Sequence, residues 1–473
     1  MTNGMLNAIK GDVFMSKLTE LVAVSPLDGR YRSKVEELDP YLSEFGLIHA
    51  RVQVECALFI ALTNGSLPDV PAIDQKARDR IQEVADQFDV KGARQIKKIE
   101  GEVNHDVKAV ELWLRKQFQG DETLGRLLEL IHFGVTSEDI NNNAYNLMIE
   151  GARDNVIIPN MDNIIGSLEE KAMLYAGIPM LAETHGQSAT PTTLGKEIKV
   201  FATRLDRTRQ DITDIALTGK LNGATGNYNA MMIAYPEVDW PKFAKTFVES
   251  LGKGQFEFNG VTTQIEPHDT LAKIFNTLSL GNTQIIDLSV DMWSYIERKL
   301  LKLKVNEKET GSSTMPHKVN PIDFENAEGN TLSSTAILQQ LATKLPRSRM
   351  QRDLSDSTAL RTIGTGFGHM NVALYSLERG LGKISPNEDQ IRAELKNEWE
   401  VLTEAIQSVG RRYGVKDVYN LVKQATRGKQ LDHEGYIEIV SRLDIPDHAK
   451  VNLMQLTPSK YTGLAPEIAR GEV

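Results

Sequence analysis

Two stretches in the middle of the chain place apolar side chains at alternating steps of four and three residues. This spacing lines one face of a long helix with a continuous apolar stripe. No proline lies between Pro191 and Pro236 or between Pro267 and Pro316, so nothing forces either helix to stop. Long helices with heptad stripes bundle, and we expect both stripes to be core. They are Leu194, Ile198, Phe201, Leu205, Thr208, Ile212 and Ile215, and Ile274, Leu278, Gly281, Ile285, Leu288, Met292 and Tyr295.

Strand signals are weak along the whole chain. No succession of alternating apolar segments is separated by Asn-Gly or Gly-Gly turns, which argues against a sandwich or a barrel. We therefore predict an all-α protein, and the length of 473 residues suggests more than one domain. The predicted division is a disordered extension (1–14), an N-terminal helical domain (15–125), a central long-helix bundle (126–380) and a C-terminal helical domain (381–473).

Composition narrows the choice of partners and compartment. A net charge of −10 and an aromatic content of 6% argue against nucleic acid or an anionic membrane as a partner. No window approaches the apolar length of a membrane span, and the N-terminus lacks a secretory pattern. Cys56 is the lone cysteine, so an intrachain disulfide is excluded. It lies in an apolar run, which suggests a buried thiol. We therefore expect a cytoplasmic protein.

Several cofactor and catalytic signatures are missing from the sequence. The histidines form no H-E-x-x-H pair, and no G-x-S-x-G elbow is present. The glycine-rich stretches 219–229 and 364–368 match neither a Walker loop nor a dinucleotide fingerprint after a strand. The sequence thus predicts no metal and no cofactor.

Polar segments interrupt the helical pattern at six places. Taken singly, each has a simple structural explanation, since Ser, Thr and Asp cap helices and arginine runs are usually solvated. A histidine in a turn of small residues directly precedes the first long helix. The segments are NHD (104–106), TSED (136–139), THGQSATP (184–191), TTQIEPHD (262–269), GSSTMPHKVNP (311–321) and RSRMQRDLSDSTALR (347–361).

Taken together, these segments resemble one known family in order and spacing. GSSTMPHKVNP fits the G-S-S-x-M-P-x-K-x-N motif of the fumarase, aspartase and argininosuccinate lyase superfamily. The other segments, with HFGVTSEDINN, are similar to those of the bacterial adenylosuccinate lyases, and the resemblance runs from Ser25 to Tyr461. The loop identifies the superfamily, and the remaining segments select the member.

The resemblance implies elimination of fumarate from adenylosuccinate, giving AMP, and from the succinyl-carboxamide ribotide of purine biosynthesis, giving its carboxamide. The reaction needs a base for a weak carbon acid, stabilisation of a dianionic intermediate and an acid for the departing nitrogen. The resemblance assigns the base to Ser312, in a catalytic loop over 308–322, and the acid to His185. Ser313 remains an alternative base, since the sequence does not rank the two serines.

The resemblance also implies a substrate-binding set and an assembly. Small nucleotides are the expected partners, in a homotetramer whose subunits share active sites around a core of long helices. One departure is Ser188, where many relatives carry proline. The implied binding residues are Arg30, Tyr31, Asn104, His105, Asp106, Thr136, Ser137, Gln264, Ser313, Lys318, Asn320, Asn326, Arg352, Ser357, Thr358 and Arg361.

Two other functions compete with this one. Another member of the superfamily, such as argininosuccinate lyase, would share the loop but would have no phosphate to bind. The arginines Arg30, Arg352 and Arg361 favour a phosphorylated substrate. A non-catalytic protein on the same scaffold is the second alternative, and the presence of His185 and Ser312 argues against it.

Overall fold

The structure is a computed structural model, and it describes residues 19–304, 315, 318–426 and 431–473. The predicted extension, 1–14, lies outside these residues, and so do Ser312 and Ser313 of the catalytic loop. Within the described ranges the chain is helical, with strands of two or three residues. The all-α prediction is confirmed.

The helices vary widely in length, and the two apolar stripes predicted from the sequence lie in the helices Leu194–Asp214 and Asp269–Glu297, except that Ile215 follows the first of them. The helices are α1 (Asp39–Leu42), α2 (Glu44–Leu62), α3 (Gln75–Asp86), α4 (Val90–Val103), α5 (Asp106–Phe118), α6 (Ser137–Ala152), α7 (Ile158–Leu174), α8 (Leu194–Asp214), α9 (Asn229–Ala234), α10 (Trp240–Ser250), α11 (Asp269–Glu297), α12 (Ile322–Lys344), α13 (Ser355–Leu360), α14 (Ile363–Lys383), α15 (Glu388–Lys396), α16 (Thr403–Arg412), α17 (Val418–Thr426), α18 (His433–Ser441), α19 (Asp447–Met454) and α20 (Ala465–Arg470). A π-helical turn, Arg153–Ile157, joins α6 to α7.

Short strands pair locally and form no larger sheet among the described residues. Three pairs are antiparallel and one, β5 with β6, is parallel. The pairs are β1 (Pro179–Met180) with β4 (Thr192–Thr193), β2 (Glu183–Thr184) with β3 (Gln187–Ser188), β5 (Leu217–Gly219) with β6 (Phe256–Phe258), and β7 (Leu301–Leu303) with β8 (Ile384–Pro386).

The chain forms two compact units, and each draws on separated stretches of sequence. The first unit contains the described residues of Met1–Asn160, Thr208–Thr283 and Gly329–Tyr375. The second contains those of Met161–Arg207, Gln284–Glu328 and Ser376–Val473. Because the units follow packing rather than chain order, the division into three sequential domains stays a prediction.

Both apolar stripes are buried as the sequence predicts, except that Tyr295, at the end of the second, is half-buried. Along α8, Leu194, Ile198 and Ile212 are fully buried, and Thr208 is buried at its place in the stripe. Along α11, Ile285 and the neighbouring stripe positions up to Met292 are equally enclosed. The period of the pattern therefore fixed the face of each helix that packs inward.

Helix α2 is the most apolar helix of the first unit. By length and composition it is the one described helix that could cross a membrane, although the sequence pattern predicted none. Two thirds of its apolar window is buried inside the protein, as expected of a core helix. Cys56 lies within it and is buried, in agreement with the predicted structural thiol. Burial raises the pKa of this thiol far above its ordinary value, so it stays protonated.

Candidate active site

Two predicted substrate-binding residues, Thr136 and Ser137, lie at the start of α6. Thr136 is the N-cap, and Asp139 completes a capping box, with the Thr136 N–H donating to Asp139 Oδ2 at 2.8 Å. The Thr-x-x-Asp spacing explains why the helix begins here. Both residues are half-buried, and they lie at the helix N-terminus, which is the end that attracts anions.

Glu138 connects this turn to two other predicted segments. Its carboxylate, 3% exposed, accepts from Nη2 of Arg352 at 2.8 Å. Nη1 of the same guanidinium donates to Oε1 of Gln264 at 3.3 Å. Burial raises the pKa of Glu138, and the charge of Arg352 opposes that rise. Three segments widely separated in sequence thus converge on one guanidinium.

A second chain of contacts leads from α6 to the NHD segment. Asn141 donates to Glu138 at 2.8 Å and accepts from Nε of Arg51 at 2.8 Å. Arg51 is buried and donates through Nη2 to Asp106 at 2.7 Å. Burial raises the pKa of Asp106, but the charge and hydrogen bond of Arg51, the Val107 N–H and the charge of Arg361 together outweigh burial, and the net pKa is lowered. Nη2 of Arg361 lies 3.7 Å from the same carboxylate.

The rest of the NHD segment forms a helix start. Asn104 adopts a left-handed conformation that ends α4, with φ of 53°. His105 is the N-cap of α5, where Nδ1 accepts from the backbone N–H of Lys108 at 3.1 Å. That bond fixes the tautomer with the proton on Nε2, which is directed away from the cap. Both Asn104 and His105 are exposed, so they remain available to a ligand.

Four further predicted residues of the first unit are exposed or half-buried. Arg30 is exposed, and Tyr31 packs against the small cluster of Leu27, Val35 and Val372. In α13, Thr358 is exposed and Ser357 is half-buried. The Ser357 N–H donates to the buried Asp356 carboxylate at 2.6 Å, within the first turn of this short helix.

His268, which follows Gln264 by four residues in the TTQIEPHD segment, is fully buried. It adopts φ of 63° directly before α11, and its N–H donates to Glu266 at 2.6 Å. Burial lowers the pKa of the ring, so its neutral form is favoured. Its position assigns His268 to the support of the TTQIEPHD segment.

His185 stands in the second unit, at the tip of the β2–β3 hairpin. His185 and Gly186 form a two-residue turn with φ of 56° and 69°, as a type I′ turn requires. The Glu183 carboxylate forms an ion pair with Nη1 of Arg298 at 3.0 Å, which anchors the hairpin. The hydroxyl of Thr190 donates to Glu404 at 2.7 Å. The histidine side chain is therefore exposed on an anchored hairpin.

The remaining second-unit residues lie in the described part of the catalytic loop and in α12, which follows it. Lys318 is exposed, and its N–H donates to the carbonyl of Met315 at 3.0 Å. Asn320 is half-buried just before α12. Oδ1 of Asn326 accepts from the Ser376 hydroxyl at 2.6 Å, which fixes the orientation of its amide. Ser312 and Ser313 lie outside the described residues, so their roles stay predictions.

Among the residues that the structure describes, no three His, Cys, Asp or Glu side chains are placed to hold a metal ion. Three buried polar residues, Arg51, Asn141 and Lys220, are not among those predicted from the sequence. Arg51 carried a detectable signal, because it and Glu55 are charges inside a helix whose other interior residues are largely apolar. Lys220 lies in a glycine-rich stretch that was considered only as a nucleotide loop.

Comparison with known proteins assigns the family. A lyase family model matches residues 30–336, and an adenylosuccinate lyase C-terminal model matches residues 348–462. The chain is 47% identical over 454 residues to the adenylosuccinate lyase of Legionella pneumophila strain Corby, covering 96% of this chain and 99% of the relative. It is 46% identical over 450 residues to that of Escherichia coli strain K12, covering 95% and 98%.

A solved structure supports the fold independently of close sequence similarity. The 3-carboxy-cis,cis-muconate lactonizing enzyme of Pseudomonas putida superposes with a TM-score of 0.69 at 19% identity, covering 96% of this chain and 97% of that one. Because the identity is low, this likeness concerns the fold alone. The near full-length identity to the bacterial enzymes goes further, and the chain belongs to the adenylosuccinate lyase family.

Proposed function

We propose that this protein is an adenylosuccinate lyase, which eliminates fumarate from adenylosuccinate and from the succinyl-carboxamide ribotide of purine biosynthesis. The observation that carries the proposal is the convergence of the NHD, TSED, TTQIEPHD and Arg-rich segments on Glu138 and Arg352. These segments come from distant parts of the chain and are those that the resemblance marked as substrate-binding. The bacterial relatives named adenylosuccinate lyase support the same activity.

The proposed reaction begins with removal of a proton from the carbon next to a carboxylate. Ser312 is the proposed base, and its alkoxide needs stabilisation by backbone N–H groups and by the charge of Lys318, six residues later in the sequence. The electron pair then forms the double bond of fumarate as the carbon–nitrogen bond breaks. His185 is the proposed acid for the leaving nitrogen, a role that suits an exposed imidazole on an anchored hairpin. Ser313 remains the alternative base.

The other predicted residues divide into two binding tasks. Thr136 and Ser137, at a helix N-terminus, suit the carboxylates of the fumarate half, together with Lys318 and Asn320. The guanidinium groups of the first unit suit the phosphate and ribose of the nucleotide half. The set for the nucleotide half comprises Arg30, Tyr31, Arg352, Ser357, Thr358 and Arg361. Gln264 and Asn326 are the proposed hydrogen-bonding residues near the scissile bond, and Asn104, His105 and Asp106 remain proposed contacts of the substrate.

The proposal includes a homotetramer in which subunits share active sites. Apolar side chains on the outward faces of the long helices support it, because large exposed hydrophobic groups mark association surfaces. Leu280 is 50% exposed on α11, and Leu332 is 56% exposed on α12. Three sequential helical domains and a cytoplasmic location, which suits a chain with a lone buried cysteine, complete this description.

The activity can be tested directly with purified protein. Adenylosuccinate should show a falling ultraviolet absorbance with stoichiometric release of fumarate. If adenylosuccinate were unchanged while argininosuccinate released fumarate, another member of the superfamily would be the better assignment. If neither these nor the succinyl-carboxamide ribotide released fumarate, the non-catalytic alternative would be favoured.

A further inference from the structure

A fully buried ion pair lies beneath the first turn of α6. Nζ of Lys220 is 2.6 Å from Oδ1 of Asp139, and neither side chain is exposed. The same carboxylate accepts from the backbone N–H groups of Asn222, at 2.9 Å, and Gly223, at 3.1 Å. Together with the capping bond from Thr136, four donors converge on Asp139. The pair thereby joins the helix start to the glycine-rich segment 219–229.

Side chains of helix α6 also bind both backbone groups of Lys220. The Lys220 N–H donates to Asn142 at 3.0 Å, and Asn143 donates to the Lys220 carbonyl at 2.9 Å. At Gly219, a Cβ atom would approach Oδ1 of Asn143 to 2.3 Å, so this position requires glycine. The glycine-rich segment is thus held in place by side chains of α6.

The far side of the glycine-rich segment contacts the TTQIEPHD segment. The amide of Asn222 donates to the Thr262 hydroxyl at 2.8 Å. Gly226, with φ of 80°, lies so close that a Cβ would come within 2.3 Å of the Thr262 carbonyl. Thr262 is two residues before Gln264, whose Oε1 accepts from Arg352. Arg352 in turn pairs with Glu138, next to Asp139, and the contacts close into a ring.

We infer that Lys220 and Asp139 are positioning residues that hold Gln264 and the Thr136–Ser137 turn in register for the substrate. This inference rests on the proposed function, because it concerns the same site. Two buried charges pay a large desolvation cost, so an ion pair is a poor device for stability alone. Its directed bonds, however, fix a helix start and a loop against each other. Misplacing a contacting group by about 1 Å lowers turnover by about a hundredfold, with less effect on affinity.

The test separates positioning from simple loss of stability. Lys220→Met leaves the Asp139 charge buried without its ammonium, and the protein will lose stability as well as turnover. In the double variant Lys220→Met with Asp139→Asn, the charge is removed, and the amide oxygen can still accept from the Thr136 N–H. We expect kcat of the double variant to fall about tenfold to a hundredfold, with KM for adenylosuccinate within about threefold of wild type. Thr262→Val removes the hydroxyl that contacts Asn222 in the same ring of contacts. It should likewise lower kcat and leave KM nearly unchanged.

Arg153→Met is the matched control. Arg153 is a buried cation of the first unit, paired with Asp154 at 2.6 Å, and its bonds to Ile215 and Gln255 involve no proposed site residue. This variant should unfold more readily, while its folded fraction keeps wild-type kcat and KM. Unfolding curves and kinetics at a temperature where each variant is folded provide both measurements.

The outcomes are distinct from those that test the proposed function. If wild-type protein releases no fumarate from adenylosuccinate, the proposed function fails. If wild type is active and both the double variant and Thr262→Val keep wild-type kcat, the positioning inference is overturned. A kcat that recovers together with stability in the double variant would likewise assign Lys220 and Asp139 a structural role alone.

Discussion

Arg352 and Glu138 form a nearly enclosed ion pair, with Nη2 of the guanidinium 2.8 Å from the carboxylate and side chains 17% and 3% exposed. The guanidinium has a second acceptor in Gln264, and Nε lies 3.7 Å from the Asp356 carboxylate. It is therefore oriented before any substrate arrives, which reduces the cost of binding an anion. The exposed Arg361 has more freedom, since it contacts Glu44 and Asp106 at the surface.

Replacing Glu138 by glutamine should weaken substrate binding more than it slows the chemical step. The amide oxygen can still accept a hydrogen bond, but the charge that orients Arg352 is lost. We expect KM for adenylosuccinate to rise about tenfold, equivalent to about 1.4 kcal/mol, with kcat within about threefold of wild type. Steady-state kinetics on the folded variant provide the measurement.

Glu129→Gln is the control for that experiment. Glu129 pairs with Arg115 on the surface, where its side chain is 89% exposed. Exposed pairs contribute about 0–1 kcal/mol, so KM and stability should stay at wild-type values. An unchanged KM in the Glu138 variant would contradict the assigned role of the pair.

A pH-dependent contribution to stability is expected from His132, which lies four residues before Thr136. Nδ1 of its ring is 2.6 Å from Oε1 of the buried Glu55. Burial lowers the pKa of the ring, but the hydrogen bond and charge of Glu55 outweigh it, and the net pKa is raised. A raised folded-state pKa gives stability that is fully present below about 6.5, the unfolded pKa, and is lost as pH rises through the folded pKa.

The measurement compares wild type with His132→Gln by urea unfolding at about pH 6 and pH 8, on either side of the unfolded pKa. The difference in free energy of unfolding should be larger at the lower pH. His49→Gln is a control of opposite sign. Burial lowers the pKa of His49, despite its bond to the Ala85 carbonyl, so its contribution falls with falling pH. The same pH trend in both variants would refute the assignment for His132.

The sequence predicted those features that depend on local patterns. Periodicity is local, so it identified the buried faces of α8 and α11, and the small-residue turn around His185 proved to be a hairpin tip. The contacts of Arg51 and Lys220 were not predictable in this way. Arg51 meets Asp106 across 55 residues, and Lys220 meets Asp139 across 81. The residues next to Arg51 and Lys220 in the sequence do not indicate which carboxylate each cation will contact, because tertiary packing brings the partners together.

The proposed catalytic pair can be tested by single replacements and by mixing. His185→Ala and Ser312→Ala should each lower turnover by several orders of magnitude, with a much smaller effect on binding. If the two residues come from different subunits, mixing the two inactive proteins should restore part of the activity. Near-wild-type turnover in either variant would refute its role. Absence of recovery after verified subunit exchange would place both residues of a site on one chain.

The hairpin that carries His185 should tolerate proline at Ser188 but not at Gln187. In a two-stranded antiparallel pair, opposed residues alternate between hydrogen-bonded and non-bonded pairs. The Ala189 N–H donates to the Ala182 carbonyl at 2.8 Å, so the next pair inward, Ser188 with Glu183, is non-bonded. The pair at the turn, Gln187 with Thr184, is bonded again. Proline lacks an N–H, so it costs a ladder bond at Gln187 and none at Ser188.

Ser188→Pro should therefore keep wild-type turnover and change stability by no more than about 1 kcal/mol, with a gain if the unfolded chain loses entropy. Gln187→Pro should lower kcat, because the turn that holds His185 loses the bond beside it. The global stability of that variant should change little, since the hairpin is short and exposed. Thermal unfolding and kinetics of both variants provide the comparison. Equal loss of kcat in the two would mean that the hairpin ladder does not set the position of His185.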